Sequence, residues 1–234
     1  MKAVIKSKKE IAKGILLIDF IVSRKISFIP GQYFFITLIN PPYVDEGGSM
    51  RHFTIVNSPH EKGIISMATK MRESAFKKSL IAMPVGSEVK IDQIFGDFIL
   101  PKSFLKLLIF VAGGIGITPF ISMLRYLECE QENYNITLVY ANENQESAAF
   151  LNELQELEKK NKNFKLILTF NNDLNWRGEK RIINDDFLKD YFPKFKSKIF
   201  FISGPPQMVD GVNKTLLNMG VKEERIKKEN FFGY

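Results

Sequence analysis

The segment Val111-Ala112-Gly113-Gly114-Ile115-Gly116-Ile117-Thr118-Pro119 limits what this chain can fold into more than any other. Before it runs a continuous apolar stretch, residues 107–112. A run without polar alternation reads as a strand buried on both faces, the habit of parallel sheets. After it, residues 119–127 repeat apolar side chains at helical spacing. Gly113, Gly114 and Gly116 between them let the backbone turn sharply and approach a neighbour closely. Pro119 suits the first helical turn, where its missing N–H costs nothing. The helix end offers free N–H groups and positive potential, which suits a pyrophosphate. A tight turn made for packing uses the same residue types, and the spacing is not that of the Rossmann fingerprint.

The chain on either side obeys two grammars. Up to about residue 104 it reads as short strands: Ile15–Val22, then 33–39, 52–56, 63–69 and 88–91. Pro30-Gly31, Pro41-Pro42, Gly47-Gly48, Ser58-Pro59 and Pro84-Val85-Gly86 punctuate them, which predicts a small antiparallel barrel. One helix interrupts at 75–83, with Ser74 as its N-cap and Pro84 ending it. From 105 onward strands and helices alternate: strand 136–141, helix 148–160, strand Phe164–Phe170, strand 198–202 and helix 208–219. That alternation predicts an α/β domain with a parallel sheet. The expected organisation is therefore a barrel domain, 1–104, and a nucleotide-binding α/β domain, 105–234.

Composition narrows the function. Among 234 residues, 33 Lys and Arg against 26 Asp and Glu give a formal charge of +7, which favours acidic partners. The cations are scattered among Ser and Glu, so a solvated surface is expected and not a nucleic-acid patch. The single Cys129 excludes an internal disulfide and an iron–sulfur site, and it reads as a buried or spectator thiol on a helix. His52 and His60 belong to no metal-ligand pattern, and no metal is expected. No secretory signal and no run of ~18 apolar residues appears, which predicts a cytoplasmic protein without a membrane span.

Three further segments carry chemistry. In Arg51-His52-Phe53-Thr54, Arg suits a phosphate, Phe a flat ring and Thr a ring nitrogen. Strand alternation sets Arg51 and Phe53 on one face and Thr54 on the other. A surface Arg beside a core Phe is the plainer account of the same residues. Ser203-Gly204-Pro205-Pro206 follows a strand and precedes a helix, at the carboxyl edge where open α/β sheets bind ligands. The sequence closes on Phe231-Phe232-Gly233-Tyr234, an aromatic terminus.

In order and spacing, these four segments resemble the ferredoxin–NADP(H) reductase superfamily across nearly the whole chain. Arg51–Thr54 resembles its flavin motif with Phe for Tyr, and residues 113–119 resemble its pyridine-nucleotide loop throughout. Residues 203–206 resemble its Cys-Gly-Pro-Pro segment with Ser for Cys. The resemblance implies an N-terminal FAD-binding barrel and a C-terminal NAD(P)-binding domain. It assigns Arg51 and Ser74 to the flavin pyrophosphate, Phe53 to the isoalloxazine and Thr54 to its N5. Met67, Ala68 and Thr69 line the ribityl and adenosine side, and Phe232 and Tyr234 are candidates to cover the flavin face. Gly113, Gly114, Gly116, Thr118, Pro119 and Asn142 hold the nicotinamide dinucleotide. Gly204, Pro205 and Pro206 shape its nicotinamide pocket, and Thr54 and Ser203 stand closest to the chemistry.

The implied activity is hydride transfer between NADH or NADPH and FAD, with electrons passing to a separate acidic carrier such as ferredoxin or flavodoxin. The tract 140–144 and Asn171-Asn172-Asp173 lack a basic residue for a 2′-phosphate, which favours NADH unless Arg177, Lys180 or Arg181 folds over. A reductase subunit of a larger electron-transfer complex, or a non-catalytic flavin-binding module, fits the same residues.

Overall fold

The computed structural model describes residues 1–101, 108–132 and 134–232. The chain forms two compact units, Met1–Leu100 with Thr118–Glu130, and Pro101–Ile117 with Gln131–Tyr234. The expected boundary at 104 lies outside the described residues. The first unit includes a helix from beyond that boundary.

In the first unit, six strands make one antiparallel sheet. They are β1 (Lys2–Ala12), β2 (Ile15–Val22), β3 (Tyr33–Leu38), β4 (Met50–Thr54), β5 (Ile64–Lys70) and β6 (Glu88–Phe95), in the order β4-β3-β6-β1-β2-β5. The end strands meet just past β4, where the Val56 N–H donates to Ser66 O at 2.9 Å, so the sheet curls into a barrel. Ile5, Ile18, Phe20, Phe34, Ile36, Ile65, Met67 and Ile91 fill its interior, every second residue along each strand. The first ten residues, read from sequence only for their charge, belong to β1, which pairs with both β2 and β6. Its lysines hid an alternation that buries Ala3 and Ile5.

Helix α1 (Ala75–Ala82) crosses this unit and is capped from both ends. Ser74 Oγ accepts from Lys77 N at 3.4 Å at the N-terminus. At the other end Lys8 of β1 reaches across and donates through Nζ to Leu80 O at 3.0 Å, to Ile81 O at 2.7 Å and to Met83 O. These carbonyls have no partners within the helix, and a cation there also complements the helix dipole. Desolvation lowers the Lys8 pKa, and the three carbonyls keep the ammonium in place. Helix α2 (Thr118–Glu130) completes the unit, with Phe120 packed edge-on against Phe98 at 5.7 Å. Cys129, expected as a buried or spectator thiol, is exposed near its C-terminal end. The helix turns its apolar face the other way, through Ile121, Leu124 and Leu127.

The second unit holds a fully parallel sheet in the order β11-β10-β7-β8-β9. Its strands are β7 (Leu108–Gly113), β8 (Ile136–Asn142), β9 (Phe164–Phe170), β10 (Ile199–Gly204) and β11 (Ile226–Asn230). Every residue of β7 is buried, as its continuous apolar run requires. Helix α3 (Leu151–Lys160) packs on β9. Helices α4 (Asp185–Tyr191) and α5 (Pro206–Asn218) cover Ile109, Val111, Val139, Phe200 and Ile202 with Phe187, Leu188, Val209, Val212 and Leu216. Helix α4 was not expected from sequence. It has seven residues, too few for a helical period to stand out, although Asn184 caps it by accepting from Phe187 N at 3.0 Å.

Removing the Lys8 ammonium leaves two carbonyls of α1 and that of its C-cap Met83 without this donor. Lys8→Met is expected to lower stability by about 1.5–3 kcal/mol, the worth of a charge-assisted hydrogen bond. Urea unfolding checks this: the midpoint falls with an unchanged m value. A midpoint equal to that of the parent protein shows that the cap carries no net stability.

Candidate functional site

The strand β4 sets the barrel-side residues. Its register places Phe53 opposite Phe34 and Arg51 opposite Ile36, so both side chains share the inward face. Phe53 packs on Phe76 of α1 with ring centroids 5.9 Å apart, and the Arg51 guanidinium lies 5.4 Å from the centroid of the same ring. Phe76, seen from sequence only as a helix residue, thus joins the two. Arg51 Nη1 donates to Gly47 O at 2.6 Å, Met50 O at 2.7 Å and Gly48 O at 3.2 Å, which fixes one limb of the fork. Thr54 pairs with Tyr33 on the opposite face and is buried. The alternation expected from sequence therefore holds.

The start of α1 gathers charge. Lys77 Nζ donates to Lys70 O at 2.6 Å. Desolvation, then the positive charges of Arg72 and Lys70, bring the Lys77 pKa down to about 8. Three crowded cations beside a helix N-terminus suit an anionic ligand. Two acids stand near them: Glu73, paired with Lys78 Nζ at 3.5 Å, and Asp45, whose Oδ2 accepts from Ala75 N at 3.1 Å and Oδ1 from Gly47 N at 2.9 Å. A phosphate at this helix end has to share it with the Asp45 carboxylate. Lys77, Arg72 and Asp45 escaped the sequence reading because they reach this end from a helix interior and two loops. On β5, Met67, Ala68 and Thr69 are all buried. Met67 belongs to the barrel core, so its side chain serves packing, and only its backbone is left to face a ligand.

In the second unit the glycine loop and the Ser203–Pro206 corner lie side by side, because β7 and β10 are neighbours in register from Leu108 to Ala112. A Cβ on Gly116 would stand 2.4 Å from Ser203 O, and one on Gly204 3.0 Å from both Gly113 N and Gly113 O. Both turns are therefore built from bare backbone. Gly114 has φ +53 with open space beside it. Pro205 and Pro206 open α5, and Pro205 O accepts from Met208 N and Val209 N at 3.0 Å. Thr118 and Pro119 begin α2 and are grouped with the first unit.

Polar atoms without partners cluster at the carboxyl edge of this sheet. Ser203 Oγ on β10, Asn142 Nδ2 on β8 and Asn230 Oδ1 on β11 are shut from solvent with no hydrogen-bond partner among the described residues. Each such atom costs about 1–3 kcal/mol, so three at one edge fit a polar ligand that supplies the missing bonds. Glu229 pairs in register with Ser203, and Asn230 with Gly204, so β11 delivers an acid and an amide there. Sequence reasoning noted only the aromatic residues that follow. Of those, Phe232 is 80% exposed and pins nothing; the Phe231 N–H donates to Gly204 O at 2.9 Å; Tyr234 lies outside the described residues.

The loop after β9 is held by a compact network. Arg181 forks onto Glu179 and reaches Asp190 at 2.7 Å, while the Tyr191 hydroxyl donates to Glu179 Oε2 at 3.1 Å. The Arg181 bonds hold the Glu179 carboxyl down at about 2. Trp176 packs edge-on to Phe170 at 4.8 Å, which makes it a packing residue as expected. Among the described residues no cluster of ligating side chains could hold a metal ion.

Comparison with known proteins agrees with this geometry. A family model described as an oxidoreductase NAD-binding domain matches residues 110–214. Flavohemoprotein A of Dictyostelium discoideum is 30% identical over 222 residues, covering 88% of this chain and 53% of its own length. The reductase component DmpP of phenol 2-monooxygenase from Pseudomonas sp. (strain CF600) is 26% identical over 216 residues, covering 90% of this chain and 60% of its own. A ferredoxin NADP+ reductase from Neisseria gonorrhoeae, solved with bound FAD and NADP, superposes with a TM-score of 0.82 at 22% identity. That match covers 99% of this chain and 98% of that one, and it shows the fold. A barrel unit and a parallel-sheet unit with this glycine loop make the same two-domain fold as that reductase. Residues 110–214 are thus similar to an oxidoreductase NAD-binding domain, and the chain as a whole is similar to these proteins over most of its length. It spans about half the length of the first curated relatives it matches.

Opposite changes at the α1 end separate its charges. Arg51→Ala is expected to lower FAD affinity about tenfold or more, since a charge-assisted hydrogen bond contributes about 1.5–3 kcal/mol. Asp45→Asn removes a competing carboxylate and is expected to tighten binding. Flavin fluorescence titration of the apoprotein reads both, and equal affinities in the two variants would remove this helix end from the flavin site.

Proposed function

We propose that this chain transfers hydride between a nicotinamide dinucleotide and FAD and passes the electrons to a separate acidic carrier, ferredoxin or flavodoxin. The observation that carries the proposal is the set of partnerless polar atoms, Ser203 Oγ, Asn142 Nδ2 and Asn230 Oδ1, around a loop of bare backbone. FAD, when bound, exchanges the hydride pair of a nicotinamide for the single electrons that carriers accept.

This chain's residues supply binding and orientation. Arg51, Ser74, Lys77 and Arg72 hold the flavin pyrophosphate by charge. Thr54 would offer its hydroxyl at N5, and Phe53, which leaves β4 on the opposite face, would border the isoalloxazine only where the ring lies over the end of that strand. The β5 residues Met67, Ala68 and Thr69 border the ribityl and adenosine side. Gly113, Gly114, Gly116, Thr118 and Pro119 cradle the dinucleotide, with Asn142 near its ribose. Gly204, Pro205 and Pro206 shape the nicotinamide pocket beside Ser203. Phe232, 80% exposed, and Tyr234 are the residues proposed to cover the flavin face.

NADH is the proposed donor. Of the three cations that could reach a 2′-phosphate, Arg181 is bound to Glu179 and Asp190. The formal charge of +7 suits an acidic carrier. A second reading, a reductase portion of a larger assembly, is favoured by relatives such as the phenol 2-monooxygenase reductase component. Among the described residues no helix is long and apolar enough to cross a membrane. We propose a cytoplasmic location.

Anaerobic titration tests the activity. NADH is expected to bleach the yellow protein, and a colourless chain that FAD cannot reconstitute would refute the proposal. In kcat/KM, NADH is expected to exceed NADPH by roughly tenfold, the worth of one charge-assisted hydrogen bond of about 1.5 kcal/mol. Raising salt is expected to slow reduction of flavodoxin and to spare that of an uncharged quinone. Equal salt responses would refute a charged docking face.

A further inference from the structure

A chain of hydrogen bonds, part-buried at Asp19 and buried from Ser66 onward to Ser122, runs from the barrel to helix α2. Asp19 of β2 accepts from Ser7 Oγ at 2.7 Å through Oδ2 and from Ser66 Oγ at 2.6 Å through Oδ1. The Ser66 N–H in turn donates to Asn57 Oδ1 at 2.7 Å. The Asn57 amide nitrogen donates to Ile64 O at 3.1 Å and Ser58 O at 3.2 Å. Asn57 is fully buried, and both ends of its side chain are engaged. Its backbone carbonyl then accepts from Ser122 Oγ of α2 at 2.9 Å, and Ser122 is itself fully buried.

The sequence positions of those two residues give the bond its meaning. Asn57 lies three residues after Thr54, on the same chain segment. Ser122 lies four residues after Thr118, one turn along the same helix face. A serine inside a helix commonly returns its hydroxyl to the carbonyl four residues back or points it to water. Ser122 does neither and spends its hydroxyl on Asn57. Flanking contacts lead to the same stretch. Arg125 Nη1 donates to Val56 O at 3.5 Å, and His60 Nε2 meets Glu130 Oε1 at 2.7 Å. The His60 ring also stacks on Tyr126, centroids 5.6 Å apart and 11° from parallel. These outer contacts are exposed or longer, and only the Ser122 bond is both short and buried.

We infer that Ser122 is a positioning residue for hydride transfer, its hydroxyl fixing the helix that begins at Thr118 to the segment that follows Thr54. The inference rests on the proposed function, which puts the nicotinamide cofactor at Thr118 and the flavin N5 at Thr54. Loss of the bond leaves Asn57 O buried and unpaired, and lets the first turn of α2 shift relative to Thr54. Hydride transfer is steep in geometry: a misplacement of about 1 Å costs on the order of a hundredfold in rate. The flavin site proposed above includes neither Ser122 nor Asn57.

The test is anaerobic stopped-flow reduction of the FAD-loaded protein by NADH, for the parent, Ser122→Ala, Ser122→Cys and Ser122→Thr. In Ser122→Ala the limiting rate of flavin bleaching is expected to fall roughly tenfold or more. The kinetic isotope effect with NADH deuterated at the transferred position is expected to rise, because hydride transfer becomes the slow step. FAD content is expected to stay near that of the parent, while the melting temperature falls by a few degrees, the cost of one unpaired buried carbonyl. Ser122→Thr, which keeps the hydroxyl, is expected to restore the rate. Ser122→Cys, a weak donor of similar size, is expected to fall in between, and it carries the test if Ser122→Ala does not fold. Parent-like rates in Ser122→Ala or Ser122→Cys overturn the inference. So does a slow Ser122→Thr, or a rate loss that only follows lost FAD. A parent protein that NADH does not bleach overturns the proposed function together with this inference.

Discussion

Two backbone turns pressed against each other at the ends of β7 and β10 organise the second unit. Neighbouring strands lie about 4.8 Å apart, and their following turns stay that close only when neither carries a side chain at the contact. A Cβ on Gly116 would meet Ser203 O at 2.4 Å, and one on Gly204 would meet Gly113 N at 3.0 Å. The glycines therefore decide that this edge presents main-chain groups. Ser203 and Asn230 follow from the same register, since β10 and β11 pair from Phe200 to Gly204. Their unpaired oxygens lie at the one edge where every strand of a parallel sheet ends.

In the first unit, electrostatics plays the part that backbone contact plays in the second. Helix α1 is short, and neither of its ends is completed by its own sequence alone. Ser74 and Asp45 accept from one end, and Lys8 donates to the other. Around that first turn lie Lys70, Arg72 and Lys77, a concentration of charge that depresses the Lys77 pKa to about 8. Such crowding is costly unless an anion offsets it; Glu73 is paired with Lys78, and Asp45 does not balance Lys70, Arg72 and Lys77. Arg51 adds a fourth, aligned over Phe76.

Most of the architecture was legible in the sequence because the segments that define it have unambiguous periods. The continuous run of β7, the alternation in β2 and the glycine and proline punctuation gave the barrel and the parallel sheet. Strand β1 was missed because a charged surface face outweighed its apolar one. Helix α4 was missed because two turns cannot display a helical period. The chemical segments were legible as types: an arginine with an aromatic ring on one strand face, and glycines after a buried strand. Phe76, Asp45 and Glu229 were not, because each gains its role from a neighbour far away in the chain, and Lys77 was not, because its crowding depends on how β5 turns into α1.

By itself the sequence determined the order of elements, the faces of the strands and the positions where only glycine or proline serves. Those follow from local sterics and from the periodic burial of apolar residues, which act within a few residues. Tertiary structure alone decided what each residue meets. It set Lys8 on the end of α1, tied Arg181 to Glu179 and Asp190, and joined Ser122 to Asn57 across 65 residues. A hydrogen bond has a reach of about 3 Å and no memory of sequence distance, so such partners exist only once the strands are closed and the helices are packed.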